Sequence, residues 1–120
     1  MMILIVDDEF PNRLFIQRLL KDLGILDIKM AINGNEAVEL CKQYDFDIIF
    51  MDVKMPIMNG VEATRIIKEI KEKTPHIVGV SSFPFEDIEK TYNEEPKFNG
   101  YIPKPINIGT LRQYLEKLKN

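Results

Sequence analysis

The chain has 120 residues and a formal net charge of -3, so it is long enough for one domain with a core and too short for two. With 45% hydrophobic and 29% charged residues it has a globular composition, which excludes a polybasic surface for nucleic acid. Cys41 is the single cysteine, which excludes an internal disulfide and a thiolate metal cluster and makes the cytoplasm the expected compartment.

Short apolar runs at 2–6, 28–32, 47–51, 76–80 and 100–102 predict five strands. The first run ends in acids after six residues, so we predict neither a signal peptide nor a membrane span. We expect a single domain that covers residues 1–120, with no linker and no further domain.

Between the strands, apolar residues follow helical spacing. Helix one is closed by Gly24, helix two lies behind Asn35, helix three is capped near Asn59 and stops before Pro75, and helix five is capped near Asn107. The predicted buried faces are Phe15, Ile16, Leu19, Leu20 and Leu23 in helix one; Ala37, Val38, Cys41 and Tyr44 in helix two; Ala63, Ile66, Ile67 and Ile70 in helix three; and Leu111, Tyr114, Leu115 and Leu118 in helix five.

The segment 83–98 has the weakest pattern, because only Ile88 and Tyr92 form an apolar pair four residues apart. We predict a short fourth helix there, between Pro84 and Pro96. Apolar strands that alternate with single helices predict a doubly wound α/β fold, in which helices cover both faces of a five-stranded parallel sheet.

Polar residues follow the predicted strands at their carboxyl ends, where open α/β sheets bind ligands. Asp7 and Asp8 end strand one, Asp52 ends strand three, Ser81 ends strand four, and Lys104 follows strand five. A strand order of 2-1-3-4-5 makes strands one and three neighbours and gathers the three carboxylates beside an ammonium and a hydroxyl.

Clustered carboxylates without histidine or thiolate are ligands that Mg²⁺ accepts, and the cation would offset their repulsion. Such a metal lets Asp52 act as a nucleophile toward phosphorus, while Lys104 and the metal neutralise charge on the transferring group. A serine hydroxyl from strand four can then hydrogen-bond the phosphoryl group.

Four motifs in order along the chain carry a resemblance to a known family: Asp7-Asp8 after strand one, "MDVKMPIMNG" at 51–60, Ser81, and "YIPKP" at 101–105. The sequence resembles the receiver domain of bacterial two-component response regulators over essentially its whole length. The resemblance implies a flavodoxin-like sheet with strand order 2-1-3-4-5.

The resemblance also implies roles for the carboxylates. Asp52 would be the phosphoacceptor, which receives its phosphoryl group from the phosphohistidine of a histidine kinase or a histidine phosphotransfer protein. Asp8 would bind Mg²⁺ directly and Asp7 through water, with Asp52 and the backbone carbonyl of Lys54 among the metal ligands.

The remaining roles follow the same resemblance. Ser81 would be the switch hydroxyl, Lys104 the lysine that pairs with the phosphate, and Tyr101 the aromatic residue whose rotamer reports phosphorylation. The Lys104–Pro105 peptide bond would be cis, and the face of helix four, strand five and helix five would dock a downstream protein.

Phe83 and Lys54 each lie two residues beyond a site residue and would flank the phosphoryl group. We predict that Phe83 restricts attacking water and prolongs the phosphorylated state. Lys54 could orient water or pair with phosphate, and both roles stay open.

These observations predict a phosphoacceptor switch that catalyses only its own phosphorylation and dephosphorylation and is not a metabolic enzyme. A free-standing regulator, a phosphorelay intermediate and the receiver of a hybrid sensor kinase are all consistent with the sequence. Two other classes remain as alternatives. One is a phosphorylation-independent interaction module. The other is a Mg²⁺-dependent phosphohydrolase, which is the less expected of the two because such sites commonly place a second acid two residues after the nucleophile, where this chain has Lys54.

Overall fold

A computed structural model describes residues 1–119 of the chain, with side chains through residue 118. Strands and helices alternate as predicted, and every strand lies within one residue of its predicted limits. The elements are β1 Ile3–Val6, α1 Phe10–Asp22, β2 Ile28–Ala31, α2 Gly34–Gln43, β3 Ile48–Asp52, α3 Gly60–Ile70, β4 His76–Ser81, α4 Phe85–Tyr92, β5 Gly100–Pro103 and α5 Ile108–Lys119.

The five strands form one parallel sheet in the order β2-β1-β3-β4-β5, which confirms the predicted fold class. All residues of β1 and β3 are buried, as expected for strands covered by helices on both faces. Because consecutive residues of a strand point to opposite faces, each central strand contributes to two separate apolar layers.

The two layers have different helices. On one face Ile3, Ile5 and Phe50 pack with buried residues of α1 and α5, which include Leu20 and Leu111. The opposite layer contains the alternate strand residues and buried residues of α2 and α3; its members include Leu4, Ile49, Met51, Ala37, Cys41 and Ile67. A smaller cluster of Val53, Val61 and Ile88 lies under α4. Helices therefore leave the sheet to either side, as a doubly wound fold requires.

Asparagine side chains cap three of the helices. Asn59 accepts a hydrogen bond from the backbone N–H of Glu62 at 2.9 Å, and Asn107 caps α5, as predicted. The predicted position of Asn35 before helix two is wrong. Asn33 is the cap, since its Oδ1 accepts from the N–H of Glu36 at 2.8 Å, and Asn35 lies inside the first turn.

Three residues assigned to buried helix faces are exposed, so this part of the prediction is wrong. Phe15 is 50% exposed, Ile70 43% and Leu118 36%. Phe15 lies at the margin of the buried apolar face of α1, which includes Ile16. Ile70 and Leu118 lie in the last turns of α3 and α5. An apolar stripe gives the direction of a helix face, whereas the width of its contact depends on the neighbouring elements.

The predicted short helix four is confirmed as α4, in which Ile88 is fully buried. The segment after α4 turns at Asn93, which has a left-handed φ of 52°, and then places the ring of Phe98 over Gly79 of β4. None of the helices within residues 1–119 is both long and apolar enough to cross a membrane.

Gly60 lets α3 begin directly behind the end of β3, and its N–H donates to the carbonyl of Val53 at 2.8 Å. A Cβ at this position would collide with the backbone carbonyl of Asp52, which has no flexible end to move. We therefore expect Gly60→Ala to lower the free energy of unfolding by about 1–3 kcal/mol. Gly109→Ala in α5 is the control, because the nearest neighbour of its Cβ is the Asn107 side chain at 3.3 Å. Urea denaturation that gives the two variants equal stability would contradict the role assigned to Gly60.

Candidate functional site

A cleft of about 540 Å³ opens at the carboxyl edge of the sheet. Asp8 follows β1, Asp52 is the last residue of β3, Ser81 is the last residue of β4 and Lys104 follows β5, and all four line this cleft. The cleft lies where the chain direction along the sheet reverses, between β1 and β3. The structure thus brings together the residues that the sequence placed at four separate strand ends.

The acidic part of the cleft consists of three carboxylates. Asp7, Asp8 and Asp52 each present one carboxylate oxygen within 4.8 Å of the others. Asp7 is 2% exposed and Asp52 is 6% exposed, whereas Asp8 faces solvent. Asp7 is further fixed because its Oδ1 accepts the N–H of Glu9 at 2.9 Å. Two of the three carboxylates therefore lie where water screens their repulsion poorly.

Lys104 is the cation that faces these acids. Its Nζ lies 3.1 Å from Oδ1 of Asp52 and 3.4 Å from Oδ2 of Asp7. The Lys104 N–H donates to the carbonyl of Ser81 at 2.9 Å, and the following bond to Pro105 is cis. Burial alone would lower the pKa of Lys104, but attraction to the two carboxylates outweighs it and the pKa lies above its ordinary value.

The Asp52 carboxyl is shifted strongly by its surroundings. Its pKa is raised to about 6, because burial and the negative charge of Asp7 raise it by more than Lys104 lowers it. The carboxylate form of Asp52 still predominates at neutral pH. It is destabilised relative to an exposed aspartate, which makes the site ready to accept a cation or an electrophile.

Ser81 and Tyr101 are joined through the loop between β4 and α4. Ser81 is 4% exposed, and its Oγ accepts the N–H of Phe83 at 3.0 Å. The Tyr101 hydroxyl donates to the carbonyl of Ser81 at 3.1 Å and also contacts the carbonyl of Phe83. The Tyr101 ring meets Phe85 edge to face, with centroids 5.3 Å apart. The tyrosine therefore bonds both the end of β4, where Ser81 lies, and the loop that follows it.

Lys54, at the cleft wall, contacts the ring of Phe83. The Lys54 ammonium lies 5.8 Å from the centroid of the Phe83 ring, within the range of a cation–π contact. Lys54 follows β3 and lines the cleft, whereas Phe83 belongs to the loop after β4. The two side chains therefore connect the loop that follows Asp52 to the loop that follows Ser81.

Residues of the first turn of α1 also reach the cleft, and the sequence analysis assigned no role to them. Glu9 and Asn12 line its wall, with Asn12 Nδ2 donating to Glu9 Oε2 at 3.1 Å. Arg13 donates to the carbonyl of Asp7 at 2.8 Å. Only their position in the sequence could have indicated this, because Glu9 directly follows the acidic pair and Asn12 lies three residues further on.

The donor set fits Mg²⁺. The cluster offers oxygen atoms and no nitrogen or sulfur, and one of its carboxylates is open to solvent, which leaves room for the waters that Mg²⁺ retains. Lys104 carries a single positive charge against three carboxylates, so a further cation would relieve repulsion that remains.

The raised pKa of Asp52 predicts a pH-dependent stability in metal-free buffer. A carboxyl whose folded pKa exceeds its unfolded value destabilises the fold once ionised, so this cost is absent below about pH 4 and complete above about pH 6. We expect Asp52→Asn to raise the free energy of unfolding at pH 7.5 by about 1–3 kcal/mol. At pH 4 we expect no gain.

The measurement is urea denaturation with a chelator at both pH values. Asp27→Asn, at an exposed loop position, is the control and should change little at either pH. A gain for Asp52→Asn that is the same at both pH values would show that the ionised carboxylate is not its source.

The chain is similar to known signalling proteins over most of its length. The family model described as the response regulator receiver domain matches residues 3–116. Two-component response regulator 24 of Arabidopsis thaliana is 39% identical over 116 residues, which cover 96% of this chain and 81% of that protein. The autoinducer 1 sensor kinase/phosphatase LuxN of Vibrio campbellii is 40% identical over 94% of this chain, which spans only 13% of that larger protein.

Solved structures agree with this similarity. The receiver domain of a sensor histidine kinase from Pseudomonas aeruginosa PAO1, solved with a magnesium ion in its active site cleft, superposes with a TM-score of 0.81. It is 25% identical, and the match covers 97% of this chain and 94% of that one. The fold, the acidic cleft and the match over residues 3–116 together show that the chain belongs to the response regulator receiver domain family of two-component and phosphorelay systems.

Proposed function

We propose that this chain is a phosphorylation-controlled switch in which Asp52 accepts a phosphoryl group from a protein phosphohistidine. The family is a phosphoacceptor signalling module, and its members pair with histidine kinases or phosphotransfer proteins. The observation that carries the proposal is the position of Asp52, whose carboxylate lies beside Asp7 and Asp8 and 3.1 Å from the Lys104 ammonium.

In the proposed transfer, a carboxylate oxygen of Asp52 attacks the phosphorus of the donor's phosphohistidine. A P–O bond forms, the P–N bond breaks, and its electron pair leaves with the imidazole nitrogen. The nucleophile must be ionised, and a pKa of about 6 keeps most of Asp52 in that form at neutral pH. The buried position of its side chain limits the water that competes for the same phosphorus.

Mg²⁺ would be held by Asp7, Asp8 and Asp52 together with the backbone carbonyl of Lys54. The clustered oxygens support this ligand set, as does the magnesium ion in the cleft of the similar Pseudomonas domain. When bound, the metal neutralises charge on the transferring phosphoryl group.

Lys104 and Ser81 would hold the product. Lys104 already reaches Asp52, so a short movement of its ammonium would pair it with a phosphoryl oxygen. The Oγ of Ser81 accepts the N–H of Phe83, and its hydroxyl hydrogen can donate to another phosphoryl oxygen. Two residues at the ends of two different strands would then bind the new phosphoryl group.

Movement of Ser81 would reach Tyr101, because the tyrosine hydroxyl is bonded to the carbonyls of Ser81 and Phe83. A shift of this loop changes the seat of the Tyr101 ring against Phe85, at the start of α4. We propose that the face of α4, β5 and α5 carries the signal to a downstream protein, and that phosphorylation shifts its conformational equilibrium. We propose that the chain acts in the cytoplasm and turns over no metabolic substrate.

The direct test is intact-protein mass after incubation with acetyl phosphate and Mg²⁺. We expect wild type and the exposed-site control Asp27→Asn to gain one phosphoryl group, and Asp52→Asn to gain none. A chelator should abolish the gain. Labelling of Asp52→Asn would overturn the assignment of the acceptor, and absence of labelling in wild type despite Mg²⁺ binding would favour a phosphorylation-independent interaction module.

We propose that Phe83 lengthens the life of the phosphorylated state by restricting the approach of water, since its ring contacts Lys54, which lines the cleft beside Asp52. We expect Phe83→Ala to lose its phosphoryl group several-fold faster than wild type after the donor is removed. Phe83→Leu keeps apolar cover and should stay close to wild type. A lifetime in Phe83→Ala equal to that of wild type would sink the idea.

A further inference from the structure

The side chain of Asp8 is held less firmly than those of the other two clustered acids. Asp7 and Asp52 both lie beside the Lys104 ammonium. Asp8 faces solvent, and within the described residues its carboxylate takes part in no hydrogen bond or ion pair. The direction in which Asp8 points therefore depends on the backbone that carries it.

The two peptide groups that flank the Cα of Asp8 are each bonded to a side chain. The group before Asp8 contains the carbonyl of Asp7, which accepts a hydrogen bond from Nη1 of Arg13 at 2.8 Å. The group after it contains the N–H of Glu9, which donates to Oδ1 of Asp7 at 2.9 Å. Peptide groups are planar, so holding both of them restricts the two backbone dihedral angles of Asp8 between them. The direction of its Cα–Cβ bond is thereby set from both sides.

Arg13 is itself held in place. It belongs to the first turns of α1 and is partly buried. Its guanidinium carbon lies 5.6 Å from the centroid of the Phe10 ring, within the range of a cation–π contact. The planar guanidinium therefore lies between an aromatic ring and the Asp7 carbonyl, where it loses little further freedom when it donates its hydrogen bond.

The bond that Arg13 makes is directed at backbone. Lys104 is the cation that pairs with Asp7 and Asp52, whereas Arg13 forms no ion pair in the part of the chain that the structure describes. A cation that served only to offset repulsion would face the carboxylates. A charged donor on a carbonyl makes a strong hydrogen bond, and here that bond fixes the peptide group between the two acids.

We propose that Arg13 is a positioning residue for Mg²⁺ binding, which holds the peptide group between Asp7 and Asp8 so that the Asp8 carboxylate points at the metal site. This inference rests on the proposed function, because Mg²⁺ binding by the acidic cluster is part of it. Arg13 touches neither the metal nor the reacting atoms. Outer partners that orient metal ligands commonly change metal affinity by about tenfold or more.

The two roles that a cation could have at this place predict opposite results. If Arg13 acted only through its positive charge, its removal would tighten Mg²⁺ binding, because less repulsion would oppose the incoming cation. If Arg13 positions Asp8, its removal weakens Mg²⁺ binding. The sign of the change in the dissociation constant therefore separates positioning from simple electrostatics.

The test measures Mg²⁺ dissociation constants from backbone amide chemical shifts during titration with magnesium chloride. The proteins are wild type, Arg13→Met, Arg13→Lys and Arg18→Met. Arg13→Met keeps an apolar stem and removes the charge and the donors, whereas Arg13→Lys keeps the charge and loses the fork of the guanidinium. Arg18→Met is the matched control, because it removes the same charge from an exposed position of α1.

Two further measurements accompany the titration. Melting temperatures in chelator show that each protein is folded at the assay temperature. Rates of Asp52 labelling by acetyl phosphate are taken at limiting and at saturating Mg²⁺, because a positioning role in metal binding should slow only the first.

We expect Arg13→Met to raise the Mg²⁺ dissociation constant about tenfold and Arg13→Lys to raise it by a smaller factor. Both variants should be labelled more slowly than wild type at limiting Mg²⁺. At saturating Mg²⁺ their rates should return close to that of wild type, because a filled site restores the orientation of Asp8. Arg18→Met should match wild type in every measurement.

An unchanged or lower dissociation constant in the Arg13 variants would overturn the inference. A labelling rate that stays low at saturating Mg²⁺ would also overturn it, since the effect would then lie outside metal binding. If Arg13→Met is unfolded at the assay temperature, Arg13→Lys decides by the same criteria.

Failure of the proposed function is a different result. Wild type would then bind Mg²⁺ and yet gain no phosphoryl group at Asp52, and the dissociation constants would still decide the role of Arg13. A wild-type chain that binds no Mg²⁺ would overturn both the metal site and the role of Arg13 in it.

Discussion

The repulsion among Asp7, Asp8 and Asp52 is the interaction on which the rest of the site depends. Folding places one oxygen of each carboxylate within 4.8 Å of the others, and burial together with the charge of Asp7 raises the pKa of Asp52 to about 6 even with Lys104 beside it. Lys104, which follows β5, offsets part of the repulsion among the carboxylates. The chain thus keeps a site that is short of positive charge, which suits the divalent cation proposed for it.

The parallel sheet makes this arrangement possible. Buried strands with helices on both faces bring their carboxyl ends to one edge, and the close approach of Gly60 lets α3 start directly behind Asp52. The apolar layers on the two faces hold the strands in register, so the charged groups meet through packing that lies elsewhere. The stabilising part of the molecule and its reactive edge are therefore separate.

Much of this was predictable from sequence because apolar runs and strand-end acids report directly on burial and on sheet edges. Asp52 and Lys104 were predicted from their places after strands, with no knowledge of distance. Other features depend on tertiary contacts. Asn33 and Asn35 are both capable caps, and only the helix start decides between them. The left-handed φ of Ile57 had no sequence signal, since the neighbouring Asn59 and Gly60 are better suited to it.

The strands that carry the site residues differ in how firmly they are held. Asp52 ends a strand with a neighbour on each side, whereas Lys104 follows β5, which pairs on one side alone. The Lys104 N–H donates to the Ser81 carbonyl, so a hydrogen bond links the backbone at the ends of β4 and β5. Asp52 is therefore held by pairing on both sides of its strand, whereas Lys104 follows an edge strand, so a displacement of Lys104 at the cleft would disturb the edge of the sheet before its centre.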